Sequence, residues 1–141
     1  MLKQKIILVD WSFILFQSIK SREGTIRRKE KLIEAGKLAE ADKILVLPET
    51  YLATASLISV LKKIGINDEV GDQVILLGDS HSWRKEIETE YKGNRVKISE
   101  EIWRMLNELT EKIVDNLPFF YLKIQDCECD DIISMAVRLW K

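Results

Sequence analysis

VILLGDSHSWRKEIETEYKGNR, residues Val74–Arg95, begins as a buried strand and ends as a basic loop. Val74–Leu77 are four apolar residues in a row, which suits a strand covered on both faces. Gly78 breaks the run and leaves Asp79 at the strand's carboxyl end, the edge where ligands bind in open α/β sheets. Trp83–Arg84 and Tyr91–Lys92–Gly93–Asn94–Arg95 follow. An acid at a strand end before an aromatic–basic cluster suggests a metal beside a polyanion. Each residue taken alone reads equally as a polar loop end or a solvated charge run.

The rest of the chain repeats the pattern. Lys5–Asp10 is a second short apolar run that ends in an acid, and it predicts the first strand of a parallel sheet. Ser12 is the expected N-cap of an apolar helix over Trp11–Ile19. Ser21–Lys31 is dense in charge and is expected to be a loop or an exposed helical turn; its arginines, Arg27 and Arg28 among them, are either a solvated face or phosphate contacts. Leu32–Leu47 is ambiguous between strand and helix. Glu49–Ile64 has the three-and-four spacing of a mostly buried helix, with Gly65 as its C-cap. Strand, helical connection and strand make a parallel βαβ unit that brings Asp10 and Asp79 close together. Ser99–Asn116 predicts an amphipathic helix with an acid-rich first turn. Phe119–Ile124 is a third strand and Glu128–Lys141 a closing helix. The expected fold class is therefore α/β, in one domain over residues 1–141.

Composition narrows the function classes. The 141 residues are 46% hydrophobic and 32% charged, a globular balance, and the net charge of −1 gives no bulk signal for nucleic acid. Any such binding must come from a local basic patch. Two cysteines, Cys127 and Cys129, and one histidine, His81, cannot build a four-ligand zinc site of the CxxC type. The C-x-C pair reads as small residues packed near a helix start. A reducing cytoplasm fits. No apolar run reaches membrane length, and the N-terminus has too short a run for a signal peptide, so no membrane association is expected.

After the third strand, Asp126-Cys127-Glu128-Cys129-Asp130-Asp131 places four acids in six residues at a helix start. The helix dipole and capping account for one or two. Four repel one another, and a divalent cation relieves that repulsion. Glu128 and Asp131 share a helix face, and Asp130 points elsewhere, toward a second ion. Oxygen donors indicate Mg²⁺ or Mn²⁺. Two such ions roughly 4 Å apart suit phosphodiester hydrolysis.

Asp10, Asp79 with Trp83–Arg84, the pentapeptide YKGNR and the stretch ECDDII occur in an order that resembles the 5′ nuclease family, the bacterial and phage type of flap endonuclease and 5′-3′ exonuclease with a PIN-like fold. The resemblance spans essentially the whole chain, strongly from Val74 and weakly between Ser21 and Pro48. It implies a three-layer PIN-like architecture around a mostly parallel sheet, incomplete on its C-terminal side. It implies that Asp10, Asp79, Glu128, Asp130 and Asp131 are carboxylates of a two-ion metal site. Lys92 is implied to contact the scissile phosphate, Arg84 and Arg95 to clamp phosphates, and Tyr91 to stack on a terminal base. The segment after YKGNR, within residues 84–116, is implied to be an arch or clamp. The resemblance further implies a substrate of DNA with a 5′ end or flap, or an RNA–DNA hybrid, in a bacterial or phage-infected cell, with replication or repair as the setting.

The chain departs from the family in length. Members continue with a further acid-bearing strand and a duplex-binding helix–hairpin–helix region, so the expectation is completion by a second polypeptide, with a truncated product or a reduced member as the alternatives. Two other readings share some of these features. A PIN-like single-stranded ribonuclease has the acids without needing YKGNR, and a non-catalytic nucleic-acid-binding subunit could keep both.

Overall fold

The computed structural model describes residues 3–93 and 99–140. It is an α/β structure whose sheet has three strands, all parallel: β1 (Ile6–Asp10), β2 (Gln73–Gly78) and β3 (Phe120–Lys123), in the order β1-β2-β3. Between β1 and β2 come α1 (Trp11–Glu34), α2 (Leu38–Asp42), α3 (Glu49–Ile64) and a 3-10 turn at Asp68–Val70. Between β2 and β3 come α4 (Arg84–Ile87) and α5 (Glu100–Val114), and α6 (Cys129–Leu139) closes the chain. The residues form two compact units, one of residues 1–12 and 65–141, the other of residues 13–64.

In the first unit, β2 is the central strand. Leu76 and Leu77 point to opposite faces and are both fully buried, as the unbroken apolar run requires. Truncating either to alanine should cost about 2–5 kcal/mol. Leu77 packs with Cys129 and Ile132 of α6, flanked by Leu8, Ile75 and Ile133. Asp10 pairs in register with Leu77, and Gly78 with Lys123, so the carboxyl ends of all three strands lie along one edge. Gly78 is glycine for a steric reason: a Cβ there would fall 2.1 Å from the Tyr121 hydroxyl. At the opposite edge, the Asp72 carboxylate accepts hydrogen bonds from the amides of Lys5 (2.8 Å) and Asn67 (2.9 Å) and fastens the start of β1 to the turn before β2.

In the second unit, the charged stretch Ser21–Lys31 is neither a loop nor an isolated turn; it is continuous with the apolar helix before it. Its arginines, lysines and glutamates are good helix formers, and Lys20–Glu23 and Arg27–Glu23 pair along the helix surface. The helix stops only at Gly36, whose left-handed φ of +73 lets the Lys37 amide reach the Leu32 carbonyl. Arg22 reaches Glu49 of α3 at 3.2 Å. Gly24, mid-helix, makes α1 less stable than alanine would by about 0.5–1 kcal/mol. The ambiguous Leu32–Leu47 holds the end of α1, then α2, and no strand, because Ile44–Leu47 finds no ladder partner among the described residues. α3 spans the predicted residues but is half-open, burying Ala53, Leu57 and Leu61 and exposing Ile58, Val60 and Ile64. No described helix is long and apolar enough to cross a membrane.

Candidate active site

Asp10 closes β1 and Asp79 follows β2, and the parallel register brings them together as the βαβ reading expects. One oxygen of each carboxylate and the Cys129 sulfur all lie within 4.8 Å of one another. Asp79 is held at both ends of the residue. Its amide donates to Ser12 Oγ (2.9 Å), and its Oδ1 accepts from the amide of Cys129 (2.7 Å), the first residue of α6. No lysine or arginine among the described residues pairs with Asp79. Ser12 therefore does not cap α1, which starts one residue earlier; it bridges the two strand ends.

Cys129 stands beside the two carboxylates as a buried thiol. Its thiol is buried and donates to the Leu77 carbonyl at 3.2 Å. Burial pushes the thiol well above its ordinary range, and the neighbouring Asp79 and Asp10 push it further. Burial likewise raises the Tyr121 phenol, with Cys129 and Asp79 adding to it. Two carboxylates oxygen to oxygen, beside groups they keep protonated, form a hard-oxygen donor set. The two carboxylates are hard donors of the kind that hold Mg²⁺ or Mn²⁺.

The other acids are placed differently. Glu128 is the N-cap of α6 and forms a capping box with Asp131, whose carboxylate accepts from the Glu128 amide (3.0 Å). Arg84, at the start of α4, grips Asp131 with two guanidinium nitrogens (2.5 and 3.0 Å) and reaches Glu128 at 3.5 Å. Lys92 bonds the other Glu128 oxygen, and the Tyr91 hydroxyl donates to Glu128 at 3.1 Å. The hydrogen bond from Arg84 holds the Asp131 carboxyl below the usual carboxylate range against the opposing effect of burial, and Asp131 raises Arg84 in turn. The acid-to-acid repulsion expected at this helix start is thus offset by the protein's own cations. Asp130 is exposed and outside the group that Asp10 and Asp79 form.

The aromatic–basic cluster is one assembly. The Arg84 guanidinium lies 4.8 Å from the Trp83 ring and 5.7 Å from the Tyr91 ring, and Lys92 lies 5.2 Å from Tyr91. Lys92 has a left-handed backbone, φ 57, which residues with a Cβ rarely adopt. Backbone bonds from Ser80 to Cys127 and from Trp83 to Asp126 tie the loop after β2 to the loop before α6. A cavity of about 470 Å³ opens beside Asp79, lined by His81, Trp103, Arg104, Asn107 and Lys123 among others. Sequence reading missed Ser12, Tyr121 and Trp103. Only Trp103 carried a signal, as the one aromatic in the predicted amphipathic helix. Arg95 lies outside the described residues, and Arg27 and Arg28 lie in the second unit.

A family model for the 5′-3′ exonuclease N-terminal, resolvase-like domain matches residues 37–141. The chain belongs to this family. The match takes in Asp79, Lys92 and the acids of α6 but not Asp10. A crystal structure of the T5 D15 protein, co-crystallised with metal ions, is similar with a TM-score of 0.53 at 20% identity, covering 96% of this chain and 44% of that one. That likeness shows the fold. The exonuclease N-terminal domain described by these residues spans less than half of the T5 D15 protein's length. Comparison with curated proteins gives no match.

Proposed function

We propose that this 5′-3′ exonuclease domain hydrolyses phosphodiester bonds in DNA bearing a 5′ end or flap, using two divalent ions, Mg²⁺ or Mn²⁺. The observation that carries the reading is the meeting of Asp10 and Asp79 at the carboxyl edge of the sheet, beside a cluster of Arg84, Tyr91 and Lys92. Asp10 and Asp79 would hold the first ion. Glu128, Asp130 and Asp131 would supply the second. Divalent ions, when bound, activate water and offset charge on the reacting phosphate.

The chain's own residues do the rest. The Cys129 amide and Ser12 fix Asp79 from two sides, with one of its oxygens close to an oxygen of Asp10. Lys92 and Arg84 rest on Glu128 and Asp131 until a phosphate takes the carboxylates' place. Lys92 then stabilises charge that builds up on the transferring phosphoryl group. Arg84, with Arg95, clamps a neighbouring phosphate, and Tyr91 stacks on the terminal base. The segment from residue 84 to residue 116 serves as the clamp over the substrate. The edge of β3, unpaired among the described residues, with Phe120 and Leu122 exposed, and the exposed Met135, Val137 and Trp140 of the closing segment are the face that a further polypeptide segment would cover.

The test is cleavage of a 5′-labelled flap duplex in Mg²⁺ or Mn²⁺ by this chain, with Asp79→Ala as control. Cleavage lost in the control is the expected result. A folded chain that binds the flap and never cuts it, with either ion, would leave a binding subunit.

A further inference from the structure

The second unit carries a groove that the strand-end site does not use. Arg27, Arg28, Lys31 and Lys37 line it, together with Gly24, in a volume of about 420 Å³ with no acid on its walls. Gly24, Arg27, Arg28 and Lys31 stand at i, i+3, i+4 and i+7 of α1, so they share one helix face. That spacing usually marks an apolar stripe, and here it marks a basic one. Arg28 and Lys31 have no carboxylate within ion-pair distance among the described residues. Arg27 and Lys37 have only exposed ones, at 3.8 and 3.9 Å, which hold a side chain weakly.

Gly24 is the second observation. It sits mid-helix, where glycine is unfavourable, with an ordinary helical φ, and a Cβ built on it meets nothing within 4 Å. Neither the backbone conformation nor the packing of this chain asks for glycine there. A missing Cβ does allow another molecule to approach the helix backbone closely.

We propose that this groove seats the sugar–phosphate backbone of a nucleic acid, one phosphate lying against α1 at Gly24 and its neighbours held by Arg27, Arg28 and Lys31. The choice of nucleic acid among polyanions rests on the nuclease reading above. The arginine forks match phosphate oxygens. Leu32 and Ala35 are the only apolar lining residues, too few for insertion into a membrane surface.

The test is fluorescence anisotropy of a labelled 5′-flap duplex with the 141-residue chain in EDTA, across 50–200 mM salt, so that cleavage plays no part. The double variant Arg28→Ala/Lys31→Ala should bind about tenfold more weakly at the low-salt end and lose about 2 from the log–log salt slope. Gly24→Ala should raise the melting temperature by a few degrees, which certifies its fold, and weaken binding several-fold. An unchanged salt slope in the double variant overturns the groove. A stabilised Gly24→Ala that binds as well as the parent overturns the close approach. Phosphatidylglycerol vesicles that depend on Arg28 and Lys31 while the duplex does not would assign the groove to a membrane and overturn the proposal. A chain that never cleaves yet shows the expected slopes keeps the groove and removes the nuclease reading; active cleavage with unchanged slopes does the reverse.

Discussion

Two sets of carboxylates stand in the same compact unit, and they are held in opposite ways. Asp10 and Asp79 come from distant parts of the sequence, meet at the sheet edge, and have a backbone amide and a buried thiol as neighbours. Glu128 and Asp131 come from one turn and carry their own cations, Lys92 and Arg84. Glu128 and Asp131 must first give their cations up before either can hold a metal ion. The crowding of acids in a sequence is therefore no measure of the charge that the fold leaves to be neutralised.

The largest expected effect tests this difference directly. Saturating Mn²⁺ should raise the melting temperature of the parent chain, by an amount equivalent to about 2.7 kcal/mol at a hundredfold excess over Kd. Asp10→Asn and Asp79→Asn should abolish that rise and lower cleavage by three orders of magnitude or more. Asparagine keeps an oxygen for the Cys129 amide, so the metal-free melting temperature should change little for Asp79→Asn. Glu128→Gln should keep most of the metal-induced rise. If differential scanning calorimetry shows Glu128→Gln losing as much as Asp79→Asn, the two sets are one site and the comparison fails.

Lys92→Ala comes next. In the proposed reaction its charge leaves Glu128 and acts on the reacting phosphate, so kcat should fall about a hundredfold or more while flap affinity stays within about threefold. Single-turnover kinetics beside a binding titration separate the two. A loss confined to affinity would make Lys92 another phosphate clamp.

The strand ends were legible because burial on both faces forces an unbroken apolar run, and a parallel crossover forces the two acids to one edge. Asp10 and Asp79 could be named from that alone. The fate of Arg84 and Lys92 could not. Their partners are 36 to 47 residues away along the chain, and nothing local distinguishes a cation waiting for phosphate from one resting on a carboxylate. Ser21–Lys31 is harder to read for a different reason: dense charge suits a loop or an exposed helical turn as well as a long helix, and lysine, arginine and glutamate favour helix as long as nothing breaks it. The role of Ser12 was hidden because a serine before an apolar run reads as a cap, whereas its hydroxyl serves a strand end across the sheet.

Arg84→Ala probes the neutralised set with a smaller effect, a fall of a few degrees in melting temperature at neutral pH. Asp131 has its carboxyl held below the ordinary value, chiefly by Arg84. The stabilisation this gives is complete above the unfolded value of about 3.9 and fades as pH falls through the folded one. The gap between parent and variant should therefore be widest near neutrality and narrow below about pH 4. Melting curves between pH 3 and 7 decide it. A gap that stays constant into acid would mean that Arg84 stabilises through its stacking on Trp83 and Tyr91 rather than through charge.

Tyr91→Phe should have the smallest effect and the sharpest meaning. It removes one hydrogen bond to Glu128 and leaves the ring, Lys92 and Arg84 in place. Glu128 keeps two cationic partners, so the loss in stability should be about 1 kcal/mol or less. A ring that stacks on a base works as well in phenylalanine as in tyrosine, so flap affinity should stay within about twofold, whereas Tyr91→Ala should cost about 1–3 kcal/mol of binding. Should Tyr91→Phe weaken binding as much as Tyr91→Ala, the hydroxyl is the working group, and Tyr91 belongs with the cations that hold Glu128 rather than with the residues that meet the substrate.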